Sequence, residues 1–175
     1  MIKAVFPGTF DPIHYGHIDL AERAARLFNE IVVAVYDRPL KSLLFSPEER
    51  IALVEQAFEG RDNIHVTGYS GLTVDFCRQI GAQVIVRGLR VFSDFEHEFR
   101  MALANYRLAP DIEVIAFITH EEHTFLSSTT VREIASLGGD VTSMVPPHVA
   151  DFLYTRFHAG DSETLKMRYM TSLRD

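Results

Sequence analysis

The chain has 175 residues, 47% of them hydrophobic, with a single cysteine and 24 acidic against 17 basic side chains, for a formal charge of −7. This length and apolar content support one globular domain with its own core. The acidic balance excludes a general nucleic-acid binder, which needs clustered Lys and Arg to displace counterions, and the lone Cys77 excludes an intrachain disulfide and two-cysteine metal motifs.

Met1-Ile2-Lys3 enters a strand pattern at once, without a basic leader or small-residue cleavage site, and no segment approaches the roughly 20 apolar residues that span a bilayer. A cytoplasmic protein with no membrane association is expected. Ile2 to Phe6 reads as a strand, and Pro7-Gly8-Thr9-Phe10-Asp11-Pro12 breaks it into a loop. From His17 to Phe28 the apolar positions Ile18, Ala21, Ala25 and Phe28 recur at helical spacing, and Ile31 to Tyr36 is a β-branched run. Ser46-Pro47-Glu48-Glu49 offers a capping box with proline at the first helical position, opening a helix to about Phe58.

A strand from Ile64 to Gly68, a helix from Leu72 to Ile80, a strand from Val84 to Arg87, a long helix from Asp94 to Leu108 and a strand from Glu113 to Ile118 follow. Cys77 falls in the apolar stretch of the third helix and reads as a small core residue. Thr130 and Glu133 suggest a further capping box. Periodicity assigns no element between there and the polar stretch 161–175, which reads as a loose tail or a peripheral helix after a domain of residues 1–160.

Continuous apolar runs such as Ile31-Val32-Val33-Ala34-Val35 and Val84-Ile85-Val86 belong to strands buried on both faces. The expected fold class is therefore α/β: a single doubly wound domain with a five-stranded parallel sheet and helices on both sides. Ligands in such sheets sit at the carboxyl ends of the strands where the strand order reverses, so the loops after strands carry the candidate chemistry.

The first such loop, Gly8-Thr9-Phe10-Asp11-Pro12-Ile13-His14-Tyr15-Gly16-His17, leads straight into a helix. A helix N-terminus presents unpaired N–H groups to phosphate, and its two histidines can donate to phosphate oxygens, more strongly as negative charge develops. Alone, the histidines could equally cap the helix or bind a metal. In this placement, however, the segment resembles the element of the nucleotidyltransferase superfamily, Thr/Gly-x-Phe-Asp-x-x-His-x-Gly-His, which implies a Rossmann-like nucleotidyltransferase fold and a nucleotide site.

Three later elements narrow the match: Pro39-Leu40-Lys41-Ser42-Leu43-Leu44-Phe45 before the capped helix, Val86-Arg87-Gly88-Leu89-Arg90 with Ser93-Asp94-Phe95-Glu96-His97-Glu98, and His123-Thr124-Phe125-Leu126-Ser127-Ser128-Thr129-Thr130-Val131-Arg132-Glu133. Together they resemble the phosphopantetheine adenylyltransferase family from about Ile2 to Phe157. Departures stand at His14, often Thr in that family, at His123, often aromatic, at Tyr106, and at Asp37-Arg38.

The resemblance implies adenylyl transfer from ATP to 4′-phosphopantetheine, giving dephospho-coenzyme A and pyrophosphate, with Mg²⁺ bridging phosphates and a homo-hexameric assembly. It implies His17 as the transition-state stabiliser, with His14, Lys41 and Arg90 as further catalytic groups. Thr9, Phe10, His17, Gly88, Leu89, Arg90, Glu98, His123, Thr124, Phe125, Leu126, Ser127, Ser128 and Thr129 fall on the ATP side, and Thr9, Lys41, Thr73 and Arg87 on the acceptor side. Two other readings stay open from the residues: transfer to a different phosphorylated acceptor such as nicotinate mononucleotide, and a nucleotide-binding regulatory module without turnover.

Overall fold

The computed structural model describes residues 1–37 and 42–158; the stretch 161–175 lies outside the described residues. Five strands, β1 (Lys3–Gly8), β2 (Glu30–Tyr36), β3 (Ile64–Tyr69), β4 (Val84–Leu89) and β5 (Glu113–Ile118), form one parallel sheet in the order β3-β2-β1-β4-β5. Between them run α1 (Tyr15–Ala25), α2 (Pro47–Ala57), α3 (Thr73–Ile80) and α4 (Phe92–Leu108), followed by a short 3-10 turn (Glu121–His123), α5 (Ser128–Ser136) and α6 (Pro147–His158). This is the doubly wound α/β architecture expected from the apolar runs. None of the described helices is long and apolar enough to cross a membrane.

The period of 2 along each strand divides the core into two layers. Ala4 and Phe6 of β1 and Ile31, Val33 and Val35 of β2 face α1, α2, α5 and α6. Val5, Val32, Ala34 and Ile85 face the other way, onto Val74, Phe76 and Cys77 of α3 and Ala109 and Ile112 beyond α4. Cys77 is wholly buried, and burial pushes its thiol up to about 11, so it is an inert packing residue.

Three local readings need correction. The first helix begins at Tyr15 because His14 is extended (φ −141°, ψ 169°) and its carbonyl already accepts from the amides of His17 and Ile18. At the fifth helix the cap is Ser127, whose hydroxyl accepts from the Thr130 amide at 3.0 Å, so Thr130 is the third helical residue and not the cap. Finally, α6 lies in a stretch to which periodicity assigned nothing: Pro147 opens it, and Val149, Leu153 and Phe157, spaced by one turn, bury into the first core layer.

One element stands apart. α4 is 17 residues long with no buried side chain, and Phe92, Phe95, Phe99, Leu103 and Tyr106 are all exposed along it.

Candidate active site

The strand order reverses between β1 and β4, and at their carboxyl ends opens a cleft of about 360 Å³. Its walls come from the loop after β1, the start of α1, the end of β4, the start of α4, His123 and the N-terminus of α5. Of the residues singled out in sequence, Thr9, Phe10, His14, His17, Arg87, Gly88, Arg90, Glu98, His123, Ser127, Ser128 and Thr129 meet there.

Phe10 is among the most buried of these. The residue is left-handed (φ +49°) and 2% exposed, its ring edge-on to Phe6 at 5.5 Å and to His17 at 5.0 Å. The Phe10 ring thus packs against His17 at the edge of the cleft.

His14 and His17 stack at 3.6 Å between ring centroids. Nδ1 of His17 accepts the backbone N–H of His14 at 3.3 Å, the return half of a capping box with imidazole in place of the usual Glu or Gln. An accepting Nδ1 puts the proton of the neutral ring on Nε2, so the tautomer is fixed as a donor at Nε2. His14 differs. Burial above all, and then the nearby charges of Arg90 and His123, lower its pKa to about 3. It is thus a neutral ring, and its Nδ1 is buried without a hydrogen-bond partner among the described residues.

Both cleft arginines are committed to carboxylates of α4. Arg87 forms a bidentate pair with Glu98 (Nη2 to Oε1 2.6 Å, Nε to Oε2 2.7 Å) and donates to the Pro7 carbonyl at 3.0 Å. The carboxylate beside it holds the guanidinium's pKa above its ordinary value despite burial. Arg90 donates Nε to Asp94 at 3.1 Å and Nη1 to the Leu126 carbonyl at 2.7 Å, and the arginine in turn lowers the pKa of Asp94 against its partial burial. Arg87 and Glu98, assigned to opposite ligands from sequence, are therefore one ion pair.

The hydroxyl segment is likewise partly engaged. Ser127 caps α5 and meets Thr130 Oγ1 at 2.9 Å, and Ser128 Oγ donates to the Pro12 carbonyl at 2.8 Å. What the helix start offers an anion is its first-turn amides, which have no intrahelical acceptor, more than these two hydroxyls.

Other expected residues lie off the cleft surface. Leu126 is 1% exposed and contributes its carbonyl to Arg90; Phe125 is exposed; Thr124 Oγ1 donates to the His120 carbonyl; and the Leu89 carbonyl accepts from Thr119. Thr73 heads α3, where its hydroxyl meets that of Tyr69 at 3.0 Å. Lys41 lies outside the described residues.

Sequence reasoning missed Asp94 and Thr119 as lining residues and the buried charges beneath the first loop: Asp11, Arg50 and Arg132. The signal for the arginines was available. Arg50 lies three and four residues before buried Leu53 and Val54, and Arg132 three and four before buried Ala135 and Ser136, so each occupies the apolar stripe of its helix.

Residues 5–134 match the family model described as cytidylyltransferase-like. A phosphopantetheine adenylyltransferase of Roseiflexus castenholzii is 52% identical over 153 residues, covering 87% of this chain and 96% of the relative. Proteins of the same name from Herpetosiphon aurantiacus and Dictyoglomus thermophilum are 50% identical over 150 residues (86% of this chain, 91% of the relative) and 46% identical over 157 (90% and 96%).

Proposed function

The chain belongs to the cytidylyltransferase-like family and, within it, to the phosphopantetheine adenylyltransferases, and on that premise we propose that it transfers the adenylyl group of ATP to 4′-phosphopantetheine, yielding dephospho-coenzyme A and pyrophosphate. The observation that carries this reading is the convergence, in one cleft at the β1/β4 reversal, of a histidine fixed as an Nε2 donor, two arginines and the N-terminus of α5.

A phosphate monoester is already nucleophilic at neutral pH. Its oxygen attacks the α-phosphorus of ATP and pyrophosphate leaves, so the protein positions the groups and meets developing charge without a general base. His17 Nε2 serves the α-phosphate oxygens in the transition state. The first-turn amides of α5, the backbone at Thr9 and Phe10, and Arg90 hold the nucleotide phosphates, with Gly88 and His123 on the same side. Arg87, with Lys41 and Thr73, serves the acceptor.

Mg²⁺ enters as part of the nucleotide substrate. Its ligands come from the triphosphate and water, as suits a small cation that dehydrates reluctantly. The reading also includes a cytoplasmic location and a homo-hexamer; the exposed apolar length of α4, which needs covering by another surface, supports self-association. The test is pyrophosphate release from ATP with 4′-phosphopantetheine, with nicotinate mononucleotide, and with neither. Release only with the first is expected. Turnover with nicotinate mononucleotide instead would overturn the acceptor, and ATP binding without release would overturn the activity.

A further inference from the structure

Arg50 of α2 is fully buried, yet it is an arginine, and its guanidinium is spent on main-chain carbonyls. Nη1 donates to the carbonyls of Thr9 and Tyr36, each at 2.7 Å, and Nη2 to that of Asp37 at 3.4 Å. It therefore bridges the carboxyl ends of β1 and β2 from underneath. Beside it, Arg132 of α5 donates to both the carbonyl and the carboxylate of Asp11, and Ser128 takes the Pro12 carbonyl. The carbonyls of Thr9 and Asp11 are thus drawn to buried arginines, and that of Pro12 to a cleft-wall serine, in a loop that borders the cleft.

The Thr9–Phe10 peptide is trans, so its N–H points opposite to its carbonyl. With the Thr9 carbonyl held by Arg50, the Phe10 amide is directed to the cleft side. Phe10 is held left-handed at φ +49°, a conformation that non-glycine residues disfavour, so this peptide has a ready alternative: a flip that relaxes Phe10 and swings the Thr9 carbonyl toward the cleft. A carbonyl oxygen there would repel a phosphate where an amide attracts one.

We propose that Arg50 is a positioning residue for adenylyl transfer, which locks the Thr9–Phe10 peptide so that the Phe10 amide meets the nucleotide's phosphate. The inference rests on the reading of the cleft as an ATP site. Arg50 touches no substrate; it acts through Thr9.

Three variants and one measurement on the unaltered protein test it. Arg50→Met removes the donors at similar volume, Arg50→Lys keeps a charge without the fork, and Arg50→Ala opens a cavity that guanidinium ion can enter. A packing role would lower the folded fraction, and hence kcat, while leaving KM unchanged in the folded molecules. The positioning role raises the KM and calorimetric Kd for ATP by about tenfold or more in Arg50→Met, with Arg50→Lys intermediate and the acceptor KM within about threefold. Low guanidinium chloride should lower the ATP KM of Arg50→Ala where potassium chloride at the same ionic strength does not. An unchanged ATP KM in a folded variant overturns the proposal.

Should the variants not fold, the full-length protein labelled with ¹⁵N at phenylalanine decides: the Phe10 amide resonance shifts on addition of ATP, and a resonance that stays put overturns the assignment. If the unaltered enzyme binds ATP but releases no pyrophosphate with phosphopantetheine, the activity falls while the calorimetric Kd for ATP in the Arg50 variants still tests the role of Arg50.

Discussion

Replacing His17 separates its two nitrogens, which do different work. In His17→Asn the side-chain oxygen falls where Nδ1 now accepts the His14 amide at 3.3 Å, so the start of α1 stays capped, but nothing reaches the place of Nε2. Removing one preorganised donor to developing phosphate charge costs about 10²–10³ in turnover, roughly 3–4 kcal/mol. The stability cost has a different origin: the stack on His14 at 3.6 Å and the edge contact with Phe10 at 5.0 Å are lost, each worth about 0.5–1.5 kcal/mol. At roughly 2–4 °C per kcal/mol for a chain of this size, Tm should fall by about 2–12 °C. His17→Ala loses the cap as well, a further ~1 kcal/mol. His17→Gln does the converse of the asparagine variant, carrying an amide N–H toward the Nε2 position while abandoning the cap. The expected order of kcat is His, Gln, Asn with Ala, whereas the order of Tm is His, Asn, Gln with Ala. Steady-state pyrophosphate release below every Tm, with ATP affinity by calorimetry, measures both. Two results refute the reasoning: His17→Asn turning over within a few-fold of the parent, or kcat following Tm across the series.

Three further outcomes follow from the geometry. Because burial lowers the pKa of His14 to about 3, the unfolded chain, with the ordinary value of 6.5, binds one more proton throughout the interval between the two. Stability from this group is present above 6.5 and is lost as the pH falls, by about 2 kcal/mol between pH 7 and 5; urea midpoints should show His14→Asn free of that component, and parallel curves would refute it. Since Arg87 and Glu98 form one ion pair, Arg87→Met leaves a bare carboxylate in the phosphate cleft, and adding Glu98→Gln should restore part of the lost acceptor affinity, with a coupling of about 1–3 kcal/mol; additive effects in the cycle would refute a shared role. Phe95→Glu with Phe99→Glu places charges on an α4 face that buries nothing within the protomer, so sedimentation should show smaller species while circular dichroism is unchanged, and an intact assembly would free α4 from the interface.

What was legible in the sequence was what repeats. All five strands and the helices between them follow from runs of one residue type at a fixed period, and the loop after β1 announced itself by glycines, prolines and histidines between a strand and a helix. α6 was legible and passed over, although proline at the first helical position begins a helix and Val149, Leu153 and Phe157 recur at its turn. Side-chain commitments left no trace of that kind. Nothing in the spacing of Arg87 and Glu98, eleven residues apart, says that the guanidinium chooses that carboxylate over a phosphate. Nor does a phenylalanine inside a binding motif disclose that its ring packs edge-on against Phe6 and His17. Those outcomes depend on which helix crosses which strand end.

The same commitments bear on how an acidic chain receives a triphosphate. An arginine left without a partner in a partly buried cleft is costly, so Glu98 and Asp94 hold Arg87 and Arg90 in place before any ligand arrives. A phosphate that replaces a carboxylate exchanges one ion pair for another, so the net gain is small unless the displaced carboxylate regains water. Both carboxylates sit one turn apart on α4, and release of either draws on the freedom of that single helix. Within the protomer none of the side chains of α4 is buried, and its exposed phenylalanines lie between and beside the two acids in sequence. If a neighbouring subunit covers those phenylalanines, it also fixes the helix from which the carboxylates must let go. The Phe95→Glu, Phe99→Glu protein should therefore change its KM for ATP together with its sedimentation, through α4 and without any substitution in the cleft.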